Sequence, residues 1–144
     1  MTSSQSSSRV LELATLGETQ MDTALPMTVT ELAIAQLAAY NAHDLDAFCA
    51  CYHEHVRVIS ETGEVLLEGK QAFRQQYEPM FSRRNFGATV LERIVLAEHC
   101  VEREAWWKKE PSTEQILRGE VLVRYTENDA KIATVVFLRA HDPK

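Results

Sequence analysis

Glu102 and Glu104 stand two residues apart in a run, Cys100–Lys108, that reads as β-strand, so both share a face with Trp106. Acid–base chemistry needs such a pair, because one carboxyl can hold a proton while the other stays ionised. A solvated strand face has the same pattern. Charged side chains mostly stay in water, so the solvated face is the expectation. His53-Glu54-His55 with Cys51 offers nitrogen and sulfur donors for a metal. The two histidines share a side only if both lie in strand, and Cys49-x-Cys51 falls in a helical stretch that splays its thiols. Zinc requires three or four converging ligands, so no metal is expected. Arg83-Arg84 and Lys108-Lys109 are short basic pairs beside turns, too small to track a phosphate backbone.

Composition narrows the classes further. The chain has 144 residues, with 15 Lys and Arg against 21 Asp and Glu, a net charge of −6. Nucleic acid and anionic membrane surfaces need clustered basic residues, so neither is an expected partner. The length fits one domain that can bury a core without metal or disulfide support. Cys49, Cys51 and Cys100 are an odd number of cysteines, and reduced thiols in a cytoplasm are the simplest expectation. No stretch approaches the roughly 18 apolar residues of a membrane helix. Residues 1–27 read as a mobile extension. Its first eight residues are too polar to offset their ordering entropy, and Val10, Leu13 and Leu16 follow at helical spacing up to Gly17. Nothing there has the basic and apolar regions of a signal peptide.

The elements that must position any site follow from the period of the apolar residues. Thr28 or Thr30 is placed to cap a helix carrying Leu32, Gln36, Leu37 and Tyr40. Asp44 caps a second, short helix with Leu45, Phe48 and Tyr52. His55–Ser60 alternates as a half-buried strand, and Val65–Leu67 returns after a turn at residues 61–64. A third helix carries Phe73, Tyr77 and Phe81 on one face, with a kink or early end expected at Pro79. Four long runs follow: Ala88–Ala97, Cys100–Lys108, Glu114–Tyr125 and Ile132–Arg139. Short connections favour antiparallel neighbours. The order α-α-β-β-α-β-β-β-β, with helices gathered on one face of an antiparallel sheet, makes an α+β domain over residues 28–140.

That order carries recognisable words: Tyr40-Asn-Ala-His-Asp-Leu-Asp-Ala-Phe48, Cys51-Tyr52 leading to Val56-Arg57-Val58, and Glu68-Gly69-Lys70 with Phe73 and Tyr77. Ala130–Arg139 completes the set. Over residues 30–139 the chain resembles the nuclear transport factor 2-like superfamily, which includes ketosteroid isomerase and SnoaL-like polyketide cyclases. The resemblance implies a curved sheet wrapped around a long helix, leaving a conical pocket. It also supplies three positions to check for the isomerase reaction. The base falls on Ser60, the oxyanion-hole tyrosine on Gln36 and the neutral acid on Arg118. None of the three replacements can do the original chemistry, which argues against steroid isomerisation.

The same resemblance assigns faces. It turns Val58 and Ser60 inward on the first strand, Arg118 and Glu120 inward on the third long strand, and Val135 and Phe137 inward on the last. Tyr40 and Tyr77 join them from the helices. The implied site is an apolar cone with few polar groups, lined by Tyr40, Val58, Ser60, Tyr77, Arg118, Glu120, Val135 and Phe137. Each polar member has a structural alternative. Arg118 and Glu120 suit an ion pair, the tyrosines suit core aromatics, Ser60 suits a strand-end hydroxyl, and Trp106 and Trp107 suit packing. Three functions stay open. The first, and preferred, is binding of a small, largely apolar molecule without a cofactor. The second is an isomerase, dehydratase or cyclase with Glu120 as base and Arg118 or Tyr40 as oxyanion partner. The third is an interaction module. The opposite faces of the last two strands, with Val121, Val123, Tyr125, Val136 and Leu138, read as apolar, so a homodimer through the convex sheet face is expected.

Overall fold

The computed structural model describes residues 27–140. The expected N-terminal extension up to residue 26, with its short helix, lies outside the described residues. Helix α1 spans Val29–Asn41, α2 Leu45–Ala50 and α3 Lys70–Arg83. The strands are β1 Tyr52–Ile59, β2 Val65–Glu68, β3 Phe86–Leu96, β4 His99–Lys109, β5 Ile116–Asn128 and β6 Lys131–Ala140.

The helices start where side chains satisfy free backbone N–H groups. Thr28 and Glu31 form a reciprocal capping box on α1, and Asp44 Oδ1 accepts from Ala47 N at 3.1 Å to start α2. Val29, Leu32, Ala33, Gln36 and Ala39 make the buried stripe of α1. Pro79 does not end α3, which continues to Arg83. Proline removes one helical hydrogen bond, and Phe81, 3% exposed in the core, keeps the last turn docked.

The six strands form one curved sheet in the order β2-β1-β6-β5-β4-β3. All neighbours are antiparallel except β1 and β6, which run parallel, Val58 beside Val135. The chain between them is long enough for the crossover that a parallel pair needs. Two register shifts between β5 and β6, at Thr126/Glu127 and Leu122/Val123, change the phase of β6. Ile132 and Val135 therefore both point into the core, at 0% and 4% exposure. The helices cover one face. Tyr52, Phe48, Phe73, Phe81 and Phe86 pack there into a continuous aromatic cluster, for example Tyr52 against Phe73 with centroids 4.3 Å apart. The open edge of β3 is closed by a side chain. Asn41 Nδ2 donates to Ala88 O and its Oδ1 accepts from Ala88 N, both at 2.9 Å.

Candidate functional site

A cavity of about 420 Å³ opens between the three helices and the concave face of β3–β6. That is within the usual range for small-molecule sites. Its walls are mostly aromatic: Tyr40, Phe48, Tyr52, Phe73, Tyr77, Phe86, Trp106, Tyr125 and Phe137, with Val135 beside them. Glu104 reaches the cavity from β4, Gln36 from α1, and Lys108 stands with the two tryptophans at the β4 end. Trp106 fits because its neighbour across β5 is Gly119; a Cβ there would collide with the indole ring. Gly87 makes the same room for Trp107, whose Nε1 lies 2.6 Å from where a Cβ would sit.

One hydrogen-bonded chain crosses the inner wall. Tyr52 Oη donates to Gln36 Oε1 at 2.7 Å, and Gln36 Nε2 donates to Ala33 O at 3.2 Å and to Tyr125 Oη at 3.4 Å. Tyr125 Oη in turn donates to Glu104 Oε2 at 2.9 Å. Glu104 is 7% exposed and Glu102, beside it on the same strand face, is 0% exposed. Arg93 Nε donates to Glu102 Oε2 at 2.7 Å. Burial pushes the Glu104 carboxyl up to about 8, with the hydrogen bond and charge of Glu102 adding to it, and with Tyr125 and Arg93 opposing. At neutral pH Glu104 is therefore mostly a neutral acid.

The phenols of Tyr40 and Tyr77 differ from those of Tyr52 and Tyr125. Neither hydroxyl hydrogen-bonds to a described residue. Burial raises Tyr77 to about 12 and Tyr40 further, with the neighbouring phenol and Glu104 contributing to Tyr40. Both stay protonated, as donors and acceptors facing an apolar space.

Four of the residues expected at the site line this cavity: Tyr40, Tyr77, Val135 and Phe137. Four do not. Val58 is 3% exposed inside the core cluster. Ser60 Oγ is taken up in the β1–β2 turn, where it accepts from Thr62 N at 3.3 Å and Glu64 N at 3.1 Å. Arg118 and Glu120 lie on the opposite, outer face of the sheet and line a separate depression with Thr89, Arg103 and Ala105. Register sets this: Trp106 pairs with Gly119 and Ala105 with Glu120, so the inner face of β5 is Gly119, Val121, Val123 and Tyr125. Glu120 Oε1 accepts from Arg103 Nε at 2.9 Å, so Glu120 is neither at the cavity nor free to act there as base. The convex face drawn from Val121, Val123 and Tyr125 is corrected by the same register. On β6 Val136 and Leu138 keep intermediate exposure.

The expected solvated face of Glu102 and Glu104 is likewise overturned, since both are buried. Their signal lay in the strand pairing rather than in the spacing. Trp106 on the same face, with an apolar strand facing it across Gly119, favoured the inside. His53 Nε2 contacts Asp129 Oδ2 at 3.4 Å, while its Nδ1 accepts from His55 N at 3.0 Å. Among the described residues no three His, Cys, Asp or Glu converge as a metal site, and no helix is long and apolar enough to cross a membrane.

A family model described as "SnoaL-like domain" matches residues 33–135. None of the curated proteins is significantly similar to the chain. Among solved structures, an uncharacterised cystatin-fold protein from Novosphingobium aromaticivorans is 24% identical with a TM-score of 0.71, over 78% of this chain and 99% of that one. A Pseudomonas putida protein provisionally classed as a polyketide cyclase is 24% identical with a TM-score of 0.61, over 77% and 90%. TerC, co-crystallised with polyporic acid, is 13% identical with a TM-score of 0.63, over 76% and 88%. At these identities the likeness establishes the fold.

Proposed function

The chain belongs to the SnoaL-like domain family, and from that premise we propose that it binds a small, largely apolar molecule through a carbonyl or hydroxyl group. The observation that carries this is the pair of unpartnered phenols, Tyr40 and Tyr77, inside an aromatic cavity of about 420 Å³. Phenol hydroxyls that open onto the cavity without a protein partner are free to donate, and a ligand oxygen accepting from both would use them. Flat aromatic walls at Phe48, Phe86 and Trp106 favour a planar ligand body. A carboxylate end finds no arginine in the cavity, because Arg118 stands on the other face of the sheet. The co-crystal of TerC with polyporic acid supports the same kind of use for this fold.

Glu104 favours a second reading in the same cavity. A carboxyl that titrates close to neutral pH can exchange a proton with a bound molecule. An isomerase, dehydratase or cyclase of this family would then use Glu104 in the place first assigned to Glu120. Glu104→Gln would abolish such turnover, and Glu120→Gln would leave it unchanged.

Native mass spectrometry of the purified protein tests the binding reading. A retained organic molecule is expected, lost in an Ala88→Phe variant that fills the cavity at a lining position. Retention unchanged by Ala88→Phe would place the ligand elsewhere.

A further inference from the structure

One atom of the inner wall lacks a partner if both carboxyls are ionised. Glu102 Oε2 accepts from Arg93 Nε at 2.7 Å and lies 3.9 Å from Cys100 Sγ, but the buried Oε1 has no donor. Buried carboxylate oxygens are nearly always supplied with one. The group beside it is Glu104, and a carboxyl donates only when protonated. Glu104 Oε2 is already occupied, since it accepts the Tyr125 hydroxyl. The proton therefore belongs on Glu104 Oε1, aimed at Glu102 Oε1. Arg93 fixes the order of charges. Its guanidinium is spent on Glu102, so the proton of the pair falls to Glu104.

We infer that Glu102 and Glu104 hold one proton between them, carried by Glu104 and donated to Glu102 Oε1, and that this restricts the cavity to the neutral form of its ligand. The restriction rests on the binding reading above; the shared proton does not. The groups facing Glu104 are Tyr40 from α1, Tyr52 from β1, Tyr77 from α3, Arg93 from β3, Glu102 on its own strand and Tyr125 from β5. The phenols are neutral and Arg93 is matched by Glu102, so the inner wall carries no net charge. A ligand carboxylate there would meet the Glu104 acid, with the buried Glu102 charge on the same strand face behind it, while the lining cation, Lys108, is exposed at the rim over Trp106.

Carbon-13 NMR of glutamate-labelled apo protein reads the pair directly. One carboxyl resonance should titrate near pH 8 and vanish in Glu104→Gln. In Glu102→Gln the Glu104 titration should fall by about one pH unit or more, because the like charge is gone and only a neutral amide acceptor remains. Arg93→Gln, at a part-exposed site, should move it upward and serves if Glu102→Gln does not fold. A Glu104 resonance titrating near pH 4–5 like an ordinary carboxyl, or one unmoved by either variant, overturns the shared proton. For the ligand arm, 2-naphthol and 2-naphthoate are titrated calorimetrically at pH 6. The naphthol should bind about tenfold tighter or more. Equal or tighter naphthoate binding overturns the restriction. Binding of neither overturns the binding reading, and leaves the NMR titration to judge the proton alone.

Discussion

The Tyr125 hydroxyl donates to Glu104 Oε2 at 2.9 Å, from the neighbouring strand and on the same inner face of the sheet. That bond ties the titrating group of the cavity to a chain running through Gln36 to Tyr52, and so couples the charge of the wall to the packing of α1 and β1.

Stability should fall as pH rises through neutrality. Glu104 titrates at about 8 when folded, against 4.5 as its ordinary value. Between those two values the folded state binds more protons than the unfolded one. The contribution of Glu104 is therefore complete below about pH 4.5 and lost on the way to pH 8, at a slope of at most about 1.4 kcal/mol per pH unit. Urea unfolding from pH 5 to pH 8.5 measures it. Glu104→Gln should flatten the profile, and a wild-type stability that rises over this window would contradict the assignment.

Tyr125→Phe should cost about 1–3 kcal/mol, because it leaves Glu104 Oε2 and Gln36 Nε2 without their shared partner. The lost donor also opposed the upward shift of Glu104, so its titration should move higher still. Denaturation midpoints report the first effect and carboxyl NMR the second.

Gly119→Ala should destabilise by about 1–3 kcal/mol through overpacking against Trp106. The indole would have to leave its seat at the cavity rim, so the tryptophan emission should shift along with the thermal midpoint. A neutral substitution would show that the rim is looser than its geometry.

The outer sheet face is expected to pair with itself in a homodimer. Ile94 and Leu96 are 72% and 77% exposed, and Leu122 is 36% exposed beside the Arg103 ion pairs to Glu120 and Glu92. Sedimentation equilibrium at micromolar concentration should give twice the 16.3 kDa chain mass, shifting toward monomer in Ile94→Asp or Leu122→Asp. A wild-type mass of one chain would refute the dimer.

The fold was legible because each element has a local signature: the Thr28 cap, the apolar stripe of α1, and alternation along the long strands. The face of β5 was legible as well, and was misassigned. Gly119, Val121, Val123 and Tyr125 are uniformly apolar with one phenol, whereas the other side carries Arg118, Glu120 and Arg124. Burial of apolar side chains chooses the first set, and a gapless resemblance to the isomerase chose the second. On β6 the phase change at the bulge cannot be read from alternation, which assumes an unbroken period of two. Glu102 and Glu104 were hidden for a different reason. Two adjacent glutamates on a strand go outside by default. They go inside only with Arg93 and Tyr125 as partners from other strands, a placement that pairing registers reveal and spacing does not.

Calorimetric titration with 2-acetylnaphthalene, a neutral aryl ketone, tests the central claim most directly. The wild-type protein should bind it with one site per chain. Tyr40→Phe and Tyr77→Phe should each weaken binding by about 2–10-fold, the worth of one hydrogen bond, without loss of thermal stability. Absence of binding to the wild type, or a double Tyr40→Phe/Tyr77→Phe variant that binds as tightly, would contradict it.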